Sequence, residues 1–404
     1  MNAVGIDVSK GKSTVSVLRL FGEIVASPFD VAHTENDLKA LADSIKKLPG
    51  ETKVVMEATG NYYEPIARYL HEQDIFVSVV NPVLISDFGG NTLRKPKTDK
   101  KDSIKIASYA LTYWLDLKKY IPQTDLRKSL KLLNRQYQQS SKLKTMINNN
   151  LISLLDLAFP GINKLFTSPA RESDGHEKWV DFVLEFPHCN TISKLTVKAF
   201  TRKYKKWCNS NSYYFTEDSC EKIYAFSKNC VSGVSSDEST AFAVVQTAKM
   251  LVSALENCQA VQSEMNRIAS QLPEYSTVME MYGVGKAVGP QLIAEIGDPR
   301  RFHSRKAITA YFGYDSENDD SGQKNSKSNP MTKKGPSALR RTLFIIMQVL
   351  QQTKPQDNPI YDFLIKKQSE GKHYYSYMNA AANKFLRIYY ARVKEVLNAI
   401  ESMT

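Results

Sequence analysis

Four carboxylates stand in this sequence where carboxylates are either costly or closely spaced. Asp7 is the only charged residue in Ala3-Val4-Gly5-Ile6-Asp7-Val8, and Glu57 closes the apolar run Val54-Val55-Met56. A carboxylate in so apolar a strand is expensive to bury unless it is paired or bound to a cation. Asp99 and Asp102 lie three apart in Lys97-Thr98-Asp99-Lys100-Lys101-Asp102-Ser103, so on a helix they share a face. Brought together, such groups repel one another unless a hard cation neutralises them, and Mg2+ or Mn2+ prefers oxygen ligands of this kind. Two ions roughly 4 Å apart could activate an attacking hydroxyl and stabilise the leaving oxygen of a phosphodiester. Each acid taken singly has a plainer role. A strand-end Asp serves as a turn or cap, and Asp99 and Asp102 neutralise Lys97, Lys100 and Lys101 on a solvated helix. The joint arrangement favours the metal site.

Carboxylates would have to hold any metal here. The five cysteines, Cys189, Cys208, Cys220, Cys230 and Cys258, are odd in number, widely spaced and free of a CxxC pair, and the six histidines are scattered without HExxH spacing. Neither a zinc centre nor a disulfide framework is expected, and a reducing cytoplasm fits best.

The elements that must position the acids read as an α/β unit. Two strands are expected between Ala3 and Val17, around a turn at Ser9-Lys10-Gly11-Lys12, and a third from Gly22 to Val31. An amphipathic helix follows over Asn36 to Lys47, then a buried strand Lys53 to Met56, a helix Asn61 to His71 and a strand Ile75 to Val80. A long helix beginning near Thr98 would complete an RNase H-like domain and lay Asp99 and Asp102 beside Asp7 and Glu57.

Beyond residue 118 the periodicity changes. Leu126, Leu130, Leu133, Tyr137, Ile147, Leu151 and Leu154 fall on one 3.5-residue seam, and Val244, Ala248, Leu251, Leu255, Cys258 and Met265 on another. Such seams predict a coiled coil over 119–160 and 238–272, antiparallel within the chain or between chains, and hence a homodimer or homotetramer. The segment 161–237 reads as an insertion of unassigned fold, holding the basic-aromatic stretch Arg202-Lys203-Tyr204-Lys205-Lys206-Trp207. Residues 273–404 read as a mostly helical domain ending in two helices.

Charge narrows the partner. With 54 Lys and Arg against 42 Asp and Glu the net charge is +12, which favours a polyanion. No apolar run is long enough to span a bilayer and no secretory leader is expected, so nucleic acid in the cytoplasm, at the nucleoid, is the favoured setting. Tyr282-Gly283-Val284-Gly285-Lys286-Ala287-Val288-Gly289 is a glycine-punctuated turn of the helix-hairpin-helix kind, able to offer backbone N–H groups of Gly283, Gly285 and Lys286 to a phosphate, or else a simple helix–helix turn. Lys10, Arg94, Lys97, Lys100 and Lys101 flank the acids, and Lys333, Lys334, Arg340 and Arg341 form a second basic cluster.

The motifs resemble those of the DEDD transposases of the bacterial insertion-sequence "one-ten" family, which includes the invertase of pilin genes. The likeness is carried by Gly5-Ile6-Asp7-Val8-Ser9-Lys10, Met56-Glu57-Ala58-Thr59-Gly60-Asn61-Tyr62 and Lys97-Thr98-Asp99-Lys100-Lys101-Asp102. It continues through Met281-Tyr282-Gly283-Val284-Gly285, Ala294-Glu295-Ile296-Gly297-Asp298, Arg301-Phe302 and Ala310-Tyr311-Phe312-Gly313, then Ser321-Gly322 and Thr332-Lys333-Lys334-Gly335. The resemblance implies a RuvC-like domain over 1–118 whose catalytic acids are Asp7, Glu57, Asp99 and Asp102, and a transposase domain with a nucleophilic serine, here Ser321. It also implies donor and target double-stranded DNA, a structured guide RNA encoded by the element, and composite sites in a tetramer. The chain departs from the family pattern after Gly313, where Tyr314-Asp315-Ser316-Glu317-Asn318-Asp319-Asp320 places an acidic run just before Ser321.

Other readings compete. The opening Gly-Ile-Asp also begins actin-like sugar kinases, but those need phosphate loops in both halves, and the heptad seams interrupt the second. An RNase H-like junction nuclease without a serine step and a non-catalytic DNA-binding derivative both remain compatible with these residues.

Overall fold

Strict alternation of side chains fixes the first sheet. β1 (Asn2–Val8) pairs antiparallel with β2 (Lys12–Arg19), and β2 with β3 (Ile24–Ala32). After α1 (Glu35–Lys46), β4 (Thr52–Glu57) returns parallel to β1 on its other side; after α2 (Tyr63–Glu72), β5 (Val77–Val80) adds parallel to β4. The strand order β3-β2-β1-β4-β5, an antiparallel meander continued by two parallel strands, is that of an RNase H-like domain. The short α3 (Pro82–Phe88), which the sequence does not suggest, and α4 (Asp99–Thr112) complete it.

The structure is a computed structural model that describes residues 1–58, 60, 62–88, 98–315, 331–333 and 335–402. It comprises two units, Met1–Pro122 and Gln123–Thr404.

In the first unit successive residues of a strand serve opposite faces. Val4, Ile6, Val54 and Met56 pack against α1 and α2, whereas Ala3 and Val55 pack against Ile106, Ala107 and Ala110 of α4. Gly5 falls on the α4 face. A Cβ placed there would stand 2.2 Å from the Ser103 carbonyl oxygen and 2.5 Å from the Ala107 nitrogen. Only a residue without a side chain lets α4 lie so close. Thr98 starts this helix by accepting a hydrogen bond from the Lys101 N–H.

The second unit is helical throughout its described residues. α5 (Asp125–Ala158) and α10 (Glu238–Ala269) are its long members. Between them lie α6 (Lys178–Glu185), α7 (Asn190–Ser193), α8 (Val197–Ser210) and α9 (Glu217–Asn229). After them come α11 (Tyr275–Met279), α12 (Gly289–Ile296), α13 (Arg305–Tyr311), α14 (Ser337–Thr353), α15 (Pro359–Ser369) and α16 (Tyr374–Glu401). Leu130 and Met265 share one core with α11 to α16, and Ile147, Leu151, Val244 and Leu251 share another with α6 to α9. α5 and α10 therefore run antiparallel within the chain, with Ser140 donating to Asn257 at 2.9 Å midway. Of the two arrangements expected for the seams, antiparallel within the chain or between chains, the helices take the first, and most seam residues pack within the chain while Leu126 stays exposed. The inserted segment 161–237 is helical, its core an aromatic cluster of Phe182, Phe186, Phe200 and Tyr204. Two polar anchors tie α5 to the C-terminal helices: buried Arg127 pairs with buried Glu274, and Asn134 donates to Glu295 at 2.7 Å. Among the described residues no helix is long and apolar enough to cross a membrane.

Gly5→Val tests the close approach of α4. Valine favours strands, yet here its side chain would collide with the helix backbone, and overpacking of this kind costs about 1–3 kcal/mol. The variant should unfold at clearly lower temperature or urea concentration than the parent; an unchanged midpoint would mean that α4 does not rest on β1.

Candidate active site

Register places the first two acids side by side. Ile6 is the partner of Met56 in the parallel β1–β4 ladder, so Asp7 and Glu57 follow on adjacent strands one step further, at the carboxyl ends. Both belong to the α4 face, since they keep the alternation of Gly5 and Val55. α4 supplies the rest. Its Ser103 to Ala107 segment lies over Gly5, and later residues Ala107 and Ala110 lie with Ala3, so the helix runs antiparallel to β1. The first turn, with Asp99 and Asp102, thus comes over the end of the sheet where Asp7 stands. Asp7, Glu57 and Asp102 are half-buried and Asp99 is exposed. Acids in a first turn also complement the helix dipole, which helps to hold that turn in place.

The placement is convergent, but it is not a finished cage. Among the described residues no three His, Cys, Asp and Glu side chains are grouped closely enough to hold a metal ion as they stand. Two acids are carried by strands and two by a helix end. The donor chemistry fits a hard divalent cation, as every candidate ligand atom is a carboxylate oxygen.

The sheet adds a neighbour that the sequence pattern does not reveal. Asp7 pairs with Thr14, and Thr14 with Asp30, so Asp30, Thr14, Asp7 and Glu57 form one row across the sheet. The Thr14 hydroxyl donates to Asp30 at 2.8 Å and Lys12 to it at 3.2 Å. These bonds, Thr14's first, hold the Asp30 carboxyl below the usual range, and Lys100 of α4 adds to the effect. Asp30 is already engaged and serves to order the row. The signal that finds it is the register, which a sequence read strand by strand does not supply.

The basic residues divide. Lys10, in the turn after β1, and Lys100 and Lys101, in the first turn of α4, are exposed at the same end as the acids. Arg94 and Lys97 lie outside the described residues, as do Lys334 and Ser321.

What the structure gives of the serine region is its stem. Asp315 accepts from the Thr332 N–H at 3.0 Å and from its hydroxyl at 2.7 Å, and the Lys333 N–H donates to Gly313 at 3.2 Å. Arg340 donates to the carbonyls of Gly335 at 2.8 Å and Phe312 at 3.3 Å. One nitrogen of its guanidinium is thus used to brace the stem; Lys333 and Arg341 are exposed. Gly335 sits so tightly that a Cβ would lie 2.4 Å from the Tyr311 carbonyl oxygen.

The glycine-punctuated turn joins α11 to α12. All of α12 is buried, its first N–H bonds back from Gly289 to Gly285 at 2.9 Å, and Pro290 has none to give. The helix N-terminus is therefore closed to a phosphate, and the exposed residues of the motif are Tyr282 and Gly285-Lys286-Ala287, the latter held from behind by Gln262 and Asn266 on the Lys286 carbonyl.

Both regions fall within stretches matched by protein-family models. A transposase model, DEDD_Tnp_IS110, matches residues 4–160, and a model described as transposase of the IS116/IS110/IS902 family matches residues 275–362. The chain belongs to the IS110 family of transposases. It is a DNA recombinase of that kind. The pilin gene-inverting proteins of Moraxella bovis and Moraxella lacunata are each 21% identical over 343 residues, 85% of this chain and 80% of the relative. Thermus thermophilus RuvC, solved with a Holliday junction substrate, aligns with 30% of the transposase and 99% of its own length, at 11% identity and a TM-score of 0.24. A second RuvC structure from that organism aligns at 12% identity and the same TM-score.

Gly335→Ala tests the stem. The added methyl must displace the Tyr311–Phe312 backbone, at a cost of about 1–3 kcal/mol. A lower unfolding midpoint is expected, together with loss of strand joining; a variant with parental stability and activity would show that the stem tolerates opening.

Proposed function

We propose that this transposase cuts and rejoins donor and target DNA with a divalent cation, Mg2+ or Mn2+, held by Asp7, Glu57, Asp99 and Asp102, and with Ser321 as nucleophile. The observation that carries the proposal is the placement of Asp7 and Glu57 on one face of adjacent strands, under the first turn of α4. The family resemblance adds the serine and an element-encoded guide RNA.

The cation, when bound, would lower the pKa of the attacking hydroxyl and stabilise the leaving oxygen. The chain's own groups do the rest. Asp7 and Glu57 are rigidly placed by the sheet, so their positions need little ordering when substrate arrives. Asp99 and Asp102 come from a helix end that can adjust. Lys10, Lys100 and Lys101 supply positive charge at the rim, where phosphates would approach, and Lys333 and Arg341 do so beside the serine stem. In the serine step the Ser321 oxygen attacks phosphorus, a phosphorus–oxygen bond to sugar breaks, the serine proton is lost to a base, and the departing sugar oxygen gains one.

Two substitutions test the proposal. Asp7→Asn removes one ligand without changing volume, and should lower cleavage by at least about a thousandfold while leaving the unfolding midpoint near that of the parent. Ser321→Ala should abolish a covalent protein–DNA adduct trapped by denaturation during strand exchange. If Ser321→Ala cleaves at the parental rate while Asp7→Asn does not, the enzyme is an RNase H-like nuclease acting through water. If Asp7→Asn cleaves normally, the carboxylate site is not where the chemistry occurs.

A further inference from the structure

The inserted helices α6 to α9 fall between the two stretches that the family models match, 4–160 and 275–362. Within them α8, Val-Lys-Ala-Phe-Thr-Arg-Lys-Tyr-Lys-Lys-Trp-Cys-Asn-Ser, carries five cations and no acid. Phe200, Tyr204, Trp207 and Cys208 turn one face of α8 into the aromatic core and are buried. That packing fixes which residues face water. Lys198, Arg202, Lys205 and Lys206 are all exposed, and at 100° per residue they form one stripe opposite the buried face.

The stripe differs from the rest of the surface in how its cations are grouped. Some exposed cations elsewhere have acids beside them, as Lys222 has Asp218 at 2.7 Å and Arg267 has Glu264 at 2.6 Å, and others, such as Lys39 and Lys249, have no acid in ion-pair contact among the described residues. On α8 four such cations share one face. On α8 itself Lys203 has Glu185 at 3.0 Å. Among the described residues no acid lies in ion-pair contact with Lys198, Arg202, Lys205 or Lys206. Lys198 and Arg202, and again Arg202 and Lys206, are like charges at i,i+4, an arrangement that destabilises a helix. Lys198 also stands in a first turn that contains no acid, where the helix dipole disfavours a cation. A helix that keeps charges against its own stability is poised to meet an anion of matching shape.

We propose that the exposed stripe of α8 is a docking surface for the phosphodiester backbone of duplex DNA, supplementary to the site that performs the chemistry. Along the helix Lys198 and Lys206 are about 12 Å apart, a span over which duplex DNA carries about seven phosphates. Contacts to the backbone fix affinity and orientation and carry no sequence information of their own. The proposal rests on the nucleic-acid partner of the proposed function but not on its catalytic residues, and binding tests it without cleavage.

The experiment uses the full chain with Lys198→Gln, Arg202→Gln, Lys205→Gln and Lys206→Gln combined. A control removes four exposed cations elsewhere, Lys39→Gln, Lys47→Gln, Lys249→Gln and Lys366→Gln. Binding of a mixed-sequence DNA duplex, of a folded RNA hairpin and of vesicles containing anionic phospholipid is measured from low to high salt. The α8 variant should bind the duplex about ten- to a hundredfold more weakly, with the slope of log K against log salt shallower by about 0.9 for each duplex phosphate that α8 no longer neutralises. The control should keep the parental slope, and thermal unfolding of both variants should match the parent. An unchanged slope with the duplex would overturn the proposal, as would weakening confined to the RNA hairpin or to the vesicles. So would an equal weakening in the control, which would reduce the effect to net charge.

Discussion

At Gly5 the backbone of α4 comes against β1 with no room for a side chain between them, and the geometry of the first unit follows from that contact. The helix that carries Asp99 and Asp102 could not otherwise lie over the strand that carries Asp7. The close approach fixes the direction of α4 and the end at which it starts, and so decides which end of the sheet gathers the acids. Glu57 needs no such help, because the parallel β1–β4 ladder already sets it beside Asp7. A single small residue, two positions before Asp7, thus sets where the candidate site's four acids lie in the fold.

The same contact shows why much of this unit is legible in the sequence. Five strands, α1, α2 and α4 follow from alternation, helical periodicity and the Thr98 cap, since each signal is local. α3 escapes such a reading because seven residues after a strand give too short a pattern to separate helix from loop. Asp30 escapes it because its place depends on pairing across two ladders. The bonds of Arg340 to Phe312 and Gly335 escape it too, because nothing local in the sequence brings those residues together. Ser321 is reached through family resemblance alone, and it lies outside the described residues.

In the second unit the heptad seams fall on the long helices α5 and α10 but say nothing of what covers them. Apolar periodicity reports a face that must be buried and is silent about the partner. Here the buried parts of the two long helices face each other, α6 to α9 and the C-terminal helices, while Leu132, Met146, Phe242 and Met250 stay exposed. The inserted segment looks patternless in sequence because its helices are short and its core is aromatic: Tyr204 and Trp207 stack within a ladder of rings while the lysines between them face water. A basic-aromatic stretch of this kind is ambiguous until the helix phase is known, and the phase separates core residues from the charged stripe.

The central claim, that Asp7, Glu57, Asp99 and Asp102 take up a divalent cation together, is open to direct measurement. Crystals of the transposase soaked in Mn2+, with anomalous diffraction recorded at the manganese edge, would locate the ion independently of activity. The account predicts a peak on the α4 face of the sheet, between the carboxylates of Asp7 and Glu57, with at least one of Asp99 and Asp102 turned in to join them. An anomalous map with manganese bound elsewhere and nothing between Asp7 and Glu57 would contradict it.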